Sequence, residues 1–170
     1  MRKNFCSMAV AILLVASGSL QSAPAASAAA QTVSAAATNM ADEAAVKKVL
    51  ASYETALNAS NTDAVMSLYA DDAVLLPQGT PTVMGSKAVK QFYVGTFKEI
   101  KIDLQFQVAE VQVVSNEWAF LRSASTGTMK ILATGNEAPA QTQELFVLHK
   151  ESGQWKLARY SFSSTLPAGI

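Results

Sequence analysis

The sequence predicts an α+β domain in which three helices cover one face of a mostly antiparallel sheet. The main observation is a change of period. Apolar residues recur at helical spacing from about residue 42 to Glu99, and β-branched and aromatic residues then follow a period near two. The second observation is size, because 170 residues with 50% hydrophobic content give room for one domain with a real core.

The predicted helices precede residue 100. The first begins near Asp42, since carboxylates favour the exposed amides of a helix N-terminus, and it ends before Asn58. Thr62 or Asp63 caps a short second helix, and Gly85 precedes the third. The core-facing residues are Val46, Val49, Leu50, Tyr53 and Leu57 in the first helix, Val65, Met66, Leu68 and Tyr69 in the second, and Val89, Phe92, Tyr93 and Phe97 in the third.

The predicted strands form a short pair and a long series. Residues 73–76 and 82–84 flank a turn that is rich in proline and glycine. Tight turns are predicted at Ser115-Asn116 and at Ser152-Gly153, and the polar loop 134–140 joins the middle pair of long strands. The four long strands, which are rich in β-branched and aromatic residues, are 101–114, 117–132, 142–150 and 154–165.

Residues 1–25 are predicted to be an export signal. Arg2 and Lys3 supply a positive start, residues 5–15 form a short apolar run, and small residues follow. Small residues at 23 and 25, or at 26 and 28, both fit the positions before a cleavage site. Because the apolar run is too short to anchor in a bilayer, we expect a periplasmic or secreted protein without a membrane anchor after cleavage.

Residues 26–41 are nearly all Ala, Ser, Thr and Gln, which is typical of a flexible linker, and the domain is predicted at residues 42–170. The single cysteine, Cys6, lies within the signal, so disulfides and thiolate chemistry are excluded from the mature protein. Thirteen basic and thirteen acidic residues balance, which argues against a nucleic-acid partner. We expect no cofactor and no metal.

Three stretches resemble the nuclear-transport-factor-2-like (NTF2-like) superfamily. Residues 51–74, with the run Tyr-Ala-Asp-Asp-Ala, resemble the opening of ketosteroid isomerases and SnoaL-like proteins, and residues 82–93 contain the glycine that precedes the third helix. Residues 143–164 are similar to the last hairpin of the SgcJ/EcaC and DUF4440 branch and of the calcium/calmodulin kinase association domain. The resemblance implies a cone-shaped, cystatin-like fold with a curved sheet, a core position for Trp155, and a homodimer through the outer sheet face.

The resemblance also implies where catalytic groups would lie. Ketosteroid isomerases need a carboxylate base together with a tyrosine and a protonated acid. Tyr53 lies where these enzymes place the tyrosine, whereas the position of the base reads Leu76-Pro77. The H-x-H pair of SgcJ/EcaC-like relatives is replaced by Arg159 and Ser161, and His149, at a strand end, is expected on the surface. Steroid isomerisation by the family's mechanism is therefore not expected.

We expect an exported domain that binds a small apolar molecule in its cone. Arg122, Glu144 and Arg159 can hold a carboxylate or carbonyl group if they face inward. They can also lie on the outer face, because alternation does not identify the faces when both carry apolar residues. Two alternatives remain, a SnoaL-like isomerase, cyclase or hydratase with Glu144 as its acid, and a non-catalytic protein-association module. The predicted pocket consists of Tyr53, Phe92, Trp118, Arg122, Glu144 and Arg159.

Overall fold

The computed structural model describes residues 25–167 and their side chains from residue 37 onward. The export signal predicted for residues 1–25 lies outside this range, apart from Ala25. No helix in the described part of the chain is long and apolar enough to cross a membrane. The elements are α1 (Ala25–Asn58), α2 (Thr62–Ser67), β1 (Tyr69–Leu76), β2 (Val83–Met84), α3 (Ser86–Glu99), β3 (Ile100–Val113), β4 (Trp118–Ile131), β5 (Glu137–Glu151) and β6 (Gln154–Ser164).

The strands form one six-stranded sheet in the order β2-β1-β6-β5-β4-β3. Strands β3 to β6 form the antiparallel meander that the sequence predicts. Strand β1 then lies parallel to β6 and antiparallel to β2. Helix α1 packs across β3 and β6, and α3 packs against β1. The predicted α+β fold, with helices on a curved and unclosed sheet, is therefore confirmed.

The predicted tight turn at residues 152–153 is also confirmed. Ser152 and Gly153 have φ angles of 49° and 79°, so both adopt the left-handed conformation that two-residue hairpin turns favour. The turn places Trp155 in the core, as expected. The indole nitrogen of Trp155 donates a hydrogen bond to Asp42, which joins β6 to α1.

Three element boundaries differ from the predictions. Helix α1 extends back to Ala25, so the segment 26–41 is helical where a flexible linker was expected. Residues 37–41 of the helix are exposed, and Asp42 is the first buried side chain along its described part. The helix before Asp42 therefore has no buried face there, and no apolar stripe in the sequence predicts it. Strand β1 already begins at Tyr69. Strand β5 begins at Glu137, because residues 137–141 pair with β4 although they contain Pro139 and no β-branched or aromatic residue.

Candidate functional site

Three neighbouring rows of side chains cross the inner face of the sheet, which packs against α1 and α3. One row consists of buried aliphatic and aromatic side chains, and the next two carry carboxylate and hydroxyl groups. The first row crosses β4, β5, β6 and β1 and consists of Leu121, Phe146, Tyr160 and Leu75. The second row crosses β3, β4, β5 and β6 and consists of Val108, Ser123, Glu144 and Phe162. The third row crosses the same four strands and consists of Phe106, Ser125, Thr142 and Ser164.

Glu144 is the centre of the polar rows and is only 3% exposed. Ser123 donates a 2.6 Å hydrogen bond to Oε2 of Glu144, and Ser125 donates a 2.7 Å hydrogen bond to Oε1. Thr142 also donates to Oε1 of Glu144, and its hydroxyl lies 2.6 Å from that of Ser125. A carboxylate offers about four lone-pair positions, so three hydroxyl donors leave about one position for a further donor.

A chain of phenols lies on the helical side of this interior. The Tyr93 hydroxyl lies 2.8 Å from the hydroxyl of Tyr53 on α1 and 2.8 Å from that of Tyr69 on β1. The Tyr53 ring meets Tyr160 edge-on at 5.5 Å, and Tyr160 stacks on Phe146 at 4.2 Å. The three hydroxyls are thus linked in series within an aromatic cluster.

Burial raises the pKa of Tyr53, Tyr69, Tyr93 and Tyr160 well above the ordinary value of 10.0. For Tyr53 and Tyr160, the nearby negative charge of Glu144 adds to this effect and raises the pKa further. The phenols therefore stay protonated at neutral pH.

The structure brings together only part of the predicted pocket. Tyr53 and Glu144 both belong to the interior, and Phe92 is half-buried, with its ring 5.7 Å from that of Tyr93. The position of the family's base, at the end of β1, holds Leu76 and Pro77. Pro77 is buried and offers no proton acceptor.

Trp118, Arg122 and Arg159 lie on the outer sheet face, so the interior pocket does not include them. For the two arginines this is the alternative position that the sequence left open. Trp118 is 37% exposed and stacks on His149 at 4.3 Å. Arg122 bonds to Glu110 at 3.0 Å and Arg159 to the Asp72 carboxylate at 3.2 Å. Side chains alternate along a strand, so the residue after Arg122, Ser123, is the one that meets Glu144.

The hydroxyl groups around Glu144 and three of the four tyrosines were not predicted as site residues. Ser123 and Ser125 are two residues apart on β4, and Thr142 and Glu144 are two residues apart on β5. This spacing puts each pair on one face and is a signal that the sequence contains. Within residues 25–167, no three His, Cys, Asp or Glu side chains gather as metal ligands.

Comparisons with known proteins agree with this architecture. The family model of the SnoaL-like domain matches residues 46–167. A ketosteroid isomerase-like protein from Erwinia carotovora atroseptica SCRI1043 is 37% identical, with a TM-score of 0.72, and the match covers 74% of this chain and 98% of that protein.

Two further solved structures show the same fold at low identity. A domain of unknown function with a cystatin-like fold from Nostoc punctiforme PCC 73102 is 17% identical, with a TM-score of 0.61 over 75% of this chain and 79% of that one. A hexachlorocyclohexane dehydrochlorinase of type 2 is 13% identical, with a TM-score of 0.66 over 77% of this chain and 92% of that one. This chain therefore belongs to the SnoaL-like family, among the ketosteroid isomerase-like and NTF2-like proteins.

Proposed function

We propose that this domain binds a small, largely apolar molecule carrying one hydrogen-bond donor, on the inner sheet face beside Glu144. The carrying observation is that three hydroxyls bond to the Glu144 carboxylate and leave about one of its lone-pair positions without a donor. Val108, which is 41% exposed, and the half-buried Phe162 lie at the two ends of the same row. They supply apolar contact surface on either side of the carboxylate.

Ligand pairs that differ in one hydroxyl test this proposal. We expect a naphthol to bind more tightly than naphthalene in calorimetric titrations, because only the naphthol donates to Glu144. Glu144→Gln should remove this preference while keeping the shape of the side chain. Ser163→Ala is the matched control, because Ser163 lies on β6 with its side chain on the outer face. Equal binding of both compounds to the native protein, or a preference that survives Glu144→Gln, would show the proposal to be wrong.

A second candidate function, an isomerase, cyclase or hydratase, is supported by the position of Glu144 on the same sheet face as Tyr160, whose ring meets that of Tyr53. In an isomerisation, the Glu144 carboxylate takes a proton from a carbon next to a carbonyl group and returns it to another carbon. A phenol of the Tyr53 cluster donates a hydrogen bond to the carbonyl oxygen as negative charge develops there. The 37% identical relative is described as ketosteroid isomerase-like.

Solvent exchange distinguishes an enzyme from a binding protein. A catalytic Glu144 exchanges the acidic C–H protons of a bound cyclic enone for deuterium in D₂O, which NMR detects, and Glu144→Gln abolishes the exchange. A ketosteroid with an isolated double bond is a second probe. With Pro77 in place of a base, we expect it to be isomerised no faster by the native protein than by Tyr53→Phe.

We also propose that the protein works in the periplasm or outside the cell. The support is the charged start and short apolar run of residues 1–25, followed by small residues. N-terminal sequencing of the protein from its native host should find a mature chain that begins after residue 25 or 28. An uncleaved chain in the cytoplasm would contradict this proposal.

A further inference from the structure

A depression of about 250 Å³ lies on the outer face of the sheet, opposite the face that carries the Glu144 site. Its wall is formed by Arg122 on β4, Gln143 and Leu145 on β5, and Ser161 and Ser163 on β6. Inward-facing neighbours of these residues, among them Glu144, form the floor. The polar groups of the wall are mainly donors, with one cation.

Arg122 has unused hydrogen-bonding capacity. Its Nε donates a 3.0 Å hydrogen bond to Glu110, and within the described part of the chain its other N–H groups bond to nothing. The side chain is 57% exposed. A guanidinium has five N–H donors in a fixed plane, so its terminal nitrogens can hold a second carboxylate side by side.

Ser161 and Ser163 in the wall can donate hydrogen bonds as well. The Gln143 amide donates a 3.0 Å hydrogen bond to the Ser163 hydroxyl oxygen, which leaves the Ser163 proton available. Ser161 makes no side-chain hydrogen bond within residues 37–167. Beside these donors, Leu145 presents an apolar surface that is 44% exposed. A cation, hydroxyl donors and one apolar wall together match a carboxylate with a short hydrocarbon group.

We propose that this depression is a binding site for a small carboxylate, separate from the interior site beside Glu144. The carboxylate accepts hydrogen bonds from the terminal nitrogens of Arg122 and from the two serine hydroxyls. The hydrocarbon group lies against Leu145. The wall side chains lie on the face opposite the Glu144 carboxylate, although Glu144 itself belongs to the floor. Arg122→Gln leaves the Glu144 carboxylate in place, so the two proposals are tested separately.

NMR titration of the whole domain with butyrate, and with butyramide at the same ionic strength, tests this site. Butyrate should shift the backbone amides of Gln143, Leu145 and Ser161, and butyramide should not. Arg122→Gln should weaken butyrate binding by about tenfold or more, since a charge-assisted hydrogen-bonded pair is lost. Arg159→Gln is the matched control, because this arginine lies on the same face and pairs with Asp72 but does not line the depression.

The amide spectra also show whether each variant is folded. The proposal is overturned if butyramide gives the same shifts as butyrate, or if Arg159→Gln weakens binding as much as Arg122→Gln. It is equally overturned if light scattering finds a dimer and butyrate shifts none of the three amides. The outer face then serves as a contact between copies of the chain.

Discussion

The carboxylate of Asp42 on α1 accepts a 3.0 Å hydrogen bond from the indole nitrogen of Trp155 on β6. Lys150 on β5 donates to the same carboxylate oxygen, and its ammonium group lies 4.9 Å from the centre of the Trp155 ring. The hydrogen bond from Lys150 is the main reason that the pKa of Asp42 is lowered. One side chain thus ties the first packed turn of α1 to the β5-β6 hairpin.

Replacing Asp42 with alanine should lower the free energy of unfolding by about 2–4 kcal/mol at pH 7, because Lys150 and Trp155 lose their shared acceptor. The lowered pKa means that this contribution is present above the unfolded value of about 4 and is lost as pH falls through the folded value. Urea unfolding of both proteins from neutral to acid pH should therefore show the difference shrink. Asp63→Ala is the control, because Asp63 pairs with Lys90 at an exposed site and should change stability less.

The partners of Asp42 could not be predicted from the sequence. Its acidic side chain was interpreted as a helix N-terminal group, but α1 extends far beyond it. Its real partners follow 108 and 113 residues later in the chain, and no local pattern reveals them. The local hydrophobic period and the turn residues were sufficient to predict the helices and the meander, because these patterns depend only on residues that are close in sequence.

The site was harder to predict because it depends on which sheet face is covered. Arg122 and Ser123 are adjacent, and strand periodicity puts them on opposite faces without saying which face is inside. The covered face is set by α1, whose Tyr53 packs against Phe146 at 5.8 Å between ring centres. Glu144 shares that face with Phe146, so its inward position follows from tertiary packing alone.

The tyrosines should titrate only when the protein unfolds. The chain contains four tyrosines, and all four belong to the buried cluster with raised pKa values. Their contribution to stability is fully present below the unfolded value of about 10 and is lost as pH rises above it. Tyrosinate absorbance should therefore appear together with loss of the near-ultraviolet circular dichroism. Tyrosinate absorbance that rises stepwise while the protein is still folded would contradict the burial of the four tyrosines in one cluster.

Asn58 should protect the open edge of the sheet. Its side-chain nitrogen donates a 2.7 Å hydrogen bond to the carbonyl of Leu104, on the edge strand β3. Its side-chain oxygen accepts a 2.9 Å hydrogen bond from the amide of the same residue. Asn58→Ala should cost about 1–2 kcal/mol and speed hydrogen exchange at Leu104. Asn58→Asp keeps the bond from the Leu104 amide but sets a second carboxylate oxygen against the Leu104 carbonyl, so it should not restore the native stability. Thr55→Ala is the control, since Thr55 is exposed and bonds within its own helix.

Gly127 and Gly95 should respond oppositely to alanine, because the spaces around them differ. A Cβ atom at Gly127 on β4 would lie 1.9 Å from the carbonyl oxygen of Asp103 on the neighbouring strand, whereas at Gly95 on α3 it would meet nothing within 4 Å. Gly127→Ala must push two paired strands apart and should cost about 1–3 kcal/mol, by analogy with an overpacked core. Gly95→Ala should instead add about 0.5–1 kcal/mol, since alanine is the better helix former. Thermal unfolding of the two variants should therefore give melting temperatures on opposite sides of the native value. Gly127→Ala at or above the native melting temperature would mean that β3 and β4 do not approach as closely as the structure places them.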